Sequence, residues 1–270
     1  MNVITCTPKQ LTRAQLDYAI ARAMELNPVN ATGSRIVGRT PVGRAGGRIR
    51  LTLNTHYRWP VSGIKLTVRF LDSPGRDLQK RILLHMNAWG STANVEFVAT
   101  SSQQAQVRIS RLDRPQSVAG YWSYVGTQIL GIKNPNEPTL NLQAFTMDTP
   151  ESEFKRVVRH EAGHTLGFEH EHMRAELVKR IDRNKAIRYF DMTQGWTKQE
   201  TENQVLTPLA AQSIMGTTEA DPTSIMCYQV PGIITKDGEP IVGGKDINPT
   251  DYAFAGSVYP KKVSRPRTVR

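Results

Sequence analysis

The apolar positions of LTRAQLDYAIARAMELN, Leu11, Leu16, Ile20 and Met24, recur near helical spacing, and Asn27-Pro28 closes the helix they predict. Beyond it the periodicity is lost. Residues 30–50 (NATGSRIVGRTPVGRAGGRIR) are glycine, small residues and five arginines, which predicts a linker or exposed arm and a domain boundary. IKLTVRFL (64–71) alternates in part and is rich in β-formers, so it predicts a strand. RDLQKRILLHMNAW (76–89) puts Leu78, Ile82, Leu83, Met86 and Trp89 on one helical face. VEFVAT and QVRISRL read as two short strands, and GYWSYVGTQILGI (120–132) as a strand-like piece that Pro135 and Pro138 separate from the next segment. TPESEFKRVVRHEAGHTLG (149–167) predicts a helix: Thr149 is the candidate N-cap, Pro150 suits the first helical position, acids fill the first turn, and Gly167 stands where the helix stops. Strand, helix, strands and a further helix in that order predict an α+β domain.

Length and composition narrow this picture without changing it. A chain of 270 residues with 39% apolar and 22% charged residues and a mean hydropathy of −0.43 fits one main globular domain with flanking segments. No apolar run approaches the roughly 18 residues of a membrane span, so membrane insertion is excluded. The N-terminus lacks the basic and apolar regions of a signal peptide. Residence in the cytoplasm, export by a non-classical route, or a signal outside this sequence are the compartments that reading allows. Two cysteines, Cys6 and Cys227, make neither a disulfide framework nor a cysteine zinc cluster. A monomer is expected.

The net charge of +11 matters more for where it sits than for its size. Residues 1–58 carry nine basic against two acidic side chains, residues 261–270 five against none, and residues 59–260 21 against 22. The basicity belongs to the ends. A nucleic-acid role with a structural metal therefore has little support from the central part of the chain.

HEAGHTLGFEH (160–170) contains three of the six histidines. On a helix His160 and His164 point to nearly the same side, so two imidazoles can reach one ion. Glu161 lies beside that ion but poorly placed as a third ligand from the same face. Hydrolytic zinc asks for three protein ligands and an open position, and His170 supplies the third if Gly167 takes a left-handed conformation and turns the chain back.

These residues carry a specific resemblance. His160, Glu161, His164, Gly167 and His170 fit H-E-x-x-H-x-x-G-x-x-H, the signature of the metzincin metalloproteases. SIMCY (224–228) resembles the Met-turn of that clan, with the terminal tyrosine that marks its astacin branch. RWP (58–60), GYWSYVG (120–126), GFEHEHMR (167–174) and NPTDYAFAGSVY (248–259) agree with astacins in order. The resemblance implies an α+β, metzincin or astacin-like two-lobed zinc protease domain over 58–260, with a twisted mixed sheet above an active-site helix. Residues 1–57 then form a basic N-terminal helix and arm, a candidate prosegment, and 261–270 a basic C-terminal tail.

The same resemblance implies one catalytic zinc ion held by His160, His164 and His170. Glu161 would be the general base toward a zinc-activated water, Tyr228 a switchable ligand that hydrogen-bonds the oxyanion, and Met226 the floor of the site. Glu171 matches the glutamate that pairs with the freed N-terminus of mature astacins. The implied function is a zinc metalloendopeptidase acting on polypeptide; a zinc exopeptidase or a self-processing effector of the same fold is the alternative.

Three features depart from the astacin pattern. Tyr121 stands where a disulfide cysteine is usual, Cys227 replaces the common Met-turn histidine, and no F-x-G-D latency stretch precedes Arg58. Latency could rest on a prosegment cut in the arginine-rich arm, on a Cys6 thiolate reaching the metal, or be absent; an inert Cys6 in a mobile N-terminus is the plainer expectation. His56, His85 and His172 are expected to serve surface or packing roles. The aromatics of GYWSYVG could line an edge strand that pairs with extended peptide, or be ordinary core and surface residues.

Overall fold

The computed structural model describes residues 6, 9–32, 53–54, 56–115, 119–210, 214–215 and 219–262. Most of the arginine-rich arm and the tail beyond residue 262 lie outside the described residues. The first helix, α1 (Arg13–Leu26), forms as its period predicts: Thr12 and Gln15 close a reciprocal capping box, and the backbone N–H of Asn27 ends it on the Ala23 carbonyl. Its inner face is small, with Ala19 and Ala23 fully buried.

After the short β1 (Leu53–Asn54), the strand β2 (Ile64–Phe70) buries Ile64, Leu66, Val68 and Phe70 in alternation. α2 (Arg76–Met86) buries Leu78, Ile82 and Met86 and runs into a 3-10 turn that buries Trp89. β3 (Val95–Ala99), β4 (Val107–Ser110), β5 (Tyr121–Ser123) and β6 (Leu140–Leu142) complete a five-stranded sheet of order β3-β2-β4-β6-β5. β2 pairs in parallel with β3 (Ile64 opposite Val95) and with β4 (Val68 opposite Val107), and β4 with β6 (Ile109 opposite Leu140). β5 alone runs antiparallel, with Tyr121 opposite Leu142, and it forms one edge.

The strand-like reading of 120–132 holds only for its first residues. Gly126 has φ 52, which breaks the extended run, and Gly126–Gly131 is a 3-10 helix against which α1 packs. The histidine helix also differs in detail. It is built from α3 (Glu151–Glu153), a wider π turn (Phe154–Val158) and α4 (Arg159–Thr165) in unbroken succession. Thr149 is not its N-cap. The Thr149 hydroxyl accepts from the Thr146 amide and closes the preceding turn, so the extended Pro150 takes the cap position instead.

Toward the C-terminal end come four short helices, α5 (Ala175–Val178), α6 (Arg183–Gln194), α7 (Lys198–Thr201) and, last, α8 (Pro249–Val258). Between α7 and α8, β7 (Ile214–Met215) pairs with β1. Two apolar clusters result. The larger lies under the sheet and takes Phe154, Val157, Val158, Ala162 and Leu166 from the histidine helix. The smaller joins Leu177, Ile181, Phe190, Val205, Val230 and Ile234. SIMCY sits where they meet: Ile225 and Met226 belong to the first, Cys227 to the second. Among the described residues no helix is long and apolar enough to cross a membrane.

Candidate metal centre

Three imidazoles converge where the two clusters join. His160 Nδ1 lies 2.6 Å from the Ile225 carbonyl and His164 Nδ1 2.7 Å from the Phe168 carbonyl, so each Nδ1 carries the proton and each Nε2 presents a lone pair. His170 Nε2 stands 3.2 Å from the first Nε2 and 3.0 Å from the second. A tetrahedral zinc about 2.0–2.1 Å from each nitrogen holds such ligands roughly 3.3–3.4 Å apart. The donor set and its spacing fit that ion.

His170 reaches this position because the helix ends where it does. Gly167 has φ 101, a conformation that side chains rarely adopt, and its amide closes on the His164 carbonyl at 2.8 Å. Met226 is fully buried directly behind the helix: a Cβ on Gly163 would come within 2.5 Å of its sulfur. Helix and Met-turn touch there because residue 163 is glycine, a role for the unassigned letter of HEAGH.

Burial sets the protonation of the centre. It lowers the pKa of His164 to about 4 and takes His160 and His170 well below the ordinary imidazole value, with neighbouring imidazoles adding to the effect on the last two. All three stay neutral and available as ligands at ordinary pH. Glu161 is nearly inaccessible, and burial raises its pKa to about 8, partly offset by a hydrogen bond from Cys6 and the nearby positive charge of Arg156.

Tyr228 lies over the histidines. Its ring is 4.3 Å from that of His170 and stacks at 4.3 Å and 19° on His172, while its hydroxyl is buried without a hydrogen bond of ordinary length. His172 is therefore more than surface packing. It is fully buried, its Nε2 meets the Gln204 carbonyl at 3.0 Å, and burial lowers its pKa to about 4. An unfolded histidine protonates near 6.5, so below that pH the unfolded chain takes up a proton that the folded chain refuses until about 4. Stability is present above the upper value and is lost as pH falls toward the lower one. The stability difference between wild type and His172→Phe is expected to move about 2 kcal/mol in the variant's favour between pH 7 and pH 5, read from urea midpoints. A difference constant with pH would contradict it.

Glu171 is fully buried and joins two loops: its carboxylate accepts from the Asp221 amide at 3.1 Å, and its own amide donates to the Met226 carbonyl at 2.9 Å. His85 is buried against Phe154, away from the centre, and His56 is half-buried.

Cys6 is buried beside the centre, not at an exposed position. Only 5% exposed, it forms a one-residue parallel bridge with Tyr121 on β5, and its Sγ donates to Glu161 Oε2 at 3.4 Å. Its sulfur and a nitrogen from each of His160, His164 and His170 all lie within 4.8 Å of one another. The surrounding cleft is walled by Tyr121, Arg156, Val157, Ile225, Val242 and Lys245. Asp251 was also missed. It is fully buried in α8, and its carboxylate accepts from the Ser224 hydroxyl at 2.7 Å and the Ile225 amide at 2.9 Å, fixing the Met-turn from below. NPTD signalled it, since Asn248 and Asp251 close a capping box with proline at the first position.

The model of the astacin peptidase family matches residues 52–246. The chain belongs to that family. Zinc metalloproteinase nas-27 of Caenorhabditis elegans is 27% identical over 173 residues, 64% of this chain and 35% of that protein. The chain thus spans about a third of that curated relative's length. A solved structure of myroilysin is 28% identical with a TM-score of 0.72 and covers 78% of this chain and 100% of that one. A second structure of myroilysin is 29% identical with a TM-score of 0.56 and covers 76% and 86%. The astacin motif residues, the mixed sheet and the histidine helix beneath it thus stand together in this chain, and its catalytic zinc has a site that the three imidazoles fit.

Proposed function

We propose that the chain is a zinc-dependent endopeptidase that hydrolyses peptide bonds in extended polypeptide. The observation that carries this reading is the convergence of three neutral imidazole nitrogens beside a buried carboxylate, in a cleft bordered by the edge strand β5. His160, His164 and His170 hold the ion. When bound, zinc supplies a Lewis acid that polarises a peptide carbonyl and acidifies water.

The remaining work falls to this chain's own groups. β5 offers its outer edge, bridged in this structure at Tyr121 by Cys6, to an extended peptide, which aligns the backbone across the cleft by main-chain hydrogen bonds. Glu161 takes the proton of the attacking water at its carboxylate and returns it to the leaving amine. The Tyr228 hydroxyl, already buried and free of an ordinary hydrogen bond, donates to the oxygen on which charge develops. Met226 and Gly163 lock the Met-turn to the helix that carries two of the ligands. Glu171 holds the loop after the third.

Purified protein incubated with a mixed peptide library is expected to cut internal bonds, to stop after chelation and to resume with stoichiometric zinc. Release of terminal residues alone would favour an exopeptidase, and cleavage indifferent to chelation would end the proposal. Tyr228→Phe is expected to lower kcat by roughly 10²–10³-fold with KM and zinc content little changed. A loss confined to KM would assign the tyrosine to substrate binding instead.

A further inference from the structure

We propose that the groove between α5, the π turn Glu202–Leu206 and the loop at Lys236 is an exosite that binds a segment of the substrate polypeptide rich in acidic and apolar side chains. The proposal rests on the peptidase reading above. The groove has a volume of about 370 Å³ and shares no lining residue with the cleft at the centre. Its size is that of a site for a small ligand or a few side chains. Ile181 is buried and Val178 and Leu206 are half-buried along it, and Lys179, Arg183 and Lys236 stand exposed around them.

The charges around the groove do not cancel. Glu202 is paired with Arg183, and the other carboxylate nearby, Asp182, caps α6 by accepting from the Asn184 and Lys185 amides, both at 3.0 Å. Lys179 and Lys236 have no ion pair among the described residues. The Lys236 ammonium donates to the Lys179 carbonyl at 2.8 Å, which holds it at the groove. Its backbone is fixed as well: the Lys236 amide donates to the Arg180 carbonyl at 2.7 Å, and Ile181 and Thr235 form an antiparallel bridge. Two uncompensated ammonium groups beside apolar surface complement a ligand that is anionic and apolar at once. A polypeptide with both kinds of side chain meets that demand, and a nucleic acid meets only the charge. The chain's own arginine-rich arm and basic tail carry the same sign as the lysines, so neither is their complement.

The wall of the groove leads to the centre. Glu202–Leu206 is a π turn, like the one in the histidine helix, and such turns are rare and recur at functional sites. Its Glu202 and Leu206 line the groove, while its Gln204 carbonyl meets His172 Nε2 at 3.0 Å, and His172 stacks on Tyr228. One turn thus touches both places, and a polypeptide held in the cleft can reach the groove with another part of its chain. Once one site is engaged, the second binds at the high effective concentration that the connecting chain sets. The groove therefore adds affinity for long, acidic substrates without touching the scissile bond.

The test reads binding apart from catalysis, with the full chain carrying Glu161→Gln and a fluorescent peptide of alternating glutamate and leucine as the probe. Adding Lys179→Glu and Lys236→Glu together is expected to weaken binding at least about tenfold with the urea midpoint unchanged, since both side chains are exposed. A probe with serine in place of leucine is expected to bind at least about tenfold more weakly as well. Equal affinity of the parent and the charge-reversed protein would overturn the site, and an oligothymidylate of equal charge binding as tightly as the peptide would make it a polyanion site instead. For the kinetic half, the chain with Glu161 intact receives a fluorogenic peptide joined by a flexible linker, at either end, to the glutamate–leucine segment or to a glycine–serine one. The acidic extension is expected to lower KM about tenfold at one end with kcat little changed, and the advantage to vanish with the two lysines reversed. The short peptide without extension is expected to be cut equally by both proteins. An identical KM for all extensions would overturn the exosite role. Lysine-dependent binding of the probe with no cleavage of any peptide would leave the site standing and remove the peptidase reading.

Discussion

Glu161→Gln is expected to lower kcat/KM by roughly 10³-fold while the protein keeps its fold and its zinc. The substitution keeps the volume of a side chain that is 1% exposed, so the packing around it has no reason to change. It keeps one oxygen that can accept from Cys6 and replaces the ionisable carboxylate with an amide that cannot take a proton. The environment tells why the carboxylate is tuned for that task. Without metal, burial outweighs the Cys6 hydrogen bond and the Arg156 charge and lifts its pKa to about 8, and a cation bound to the adjacent histidines would draw the balance back toward the ionised form. A base poised between those influences can accept a proton and later release it. The comparison is made with zinc content measured on the same samples. Activity within tenfold of the parent at equal zinc content would remove Glu161 from the base role.

Much of the centre was legible because it is local. His160, Glu161, His164, Gly167 and His170 lie within one helix and one turn, where spacing alone fixes direction. The paired strands and α1 were legible for the same reason, since a period of two or of 3.6 records which face is buried. What spacing cannot record is a meeting between distant segments. Cys6 lies 155 residues from Glu161, and a single small apolar residue near the N-terminus carries no period and no partner in its own neighbourhood. Its burial against β5 and Glu161 becomes visible only in the folded chain. Similarly, the end of β5 at Ser123 and the turn into a 3-10 helix at Gly126, where φ is positive, were hidden inside a run of β-formers. His172 looked like packing because its stacking partner, Tyr228, comes from the Met-turn.

Asp251→Ala is expected to cost about 3–5 kcal/mol of stability and to weaken zinc binding by roughly 10–100-fold, although the residue touches no metal ligand. Its carboxylate is fully buried and accepts from the Ser224 hydroxyl, the Ile225 amide at 2.9 Å and the Asn248 amide at 3.1 Å. Truncation to alanine strands the Ser224 and Ile225 donors in the buried interior, where each costs about 1–3 kcal/mol when left unpaired, and leaves the part-buried Asn248 amide without its acceptor. The effect then passes outward along the backbone. The residue whose amide Asp251 fixes, Ile225, is the one whose carbonyl receives His160 Nδ1 at 2.6 Å. Loosening that carbonyl frees the imidazole to rotate and to exchange tautomers, and both lower the affinity of its Nε2 for the ion. Asp251→Asn separates the two parts: its oxygen still accepts from the Ile225 and Asn248 amides and should recover most of the stability, while its amide group can only donate toward the Ser224 hydroxyl and reverses that contact. Urea unfolding gives the first quantity and competition with a zinc chelator gives the second. If Asp251→Ala lost stability with its zinc affinity unchanged, the Met-turn would not be orienting His160, and the coupling from α8 to the metal would be wrong.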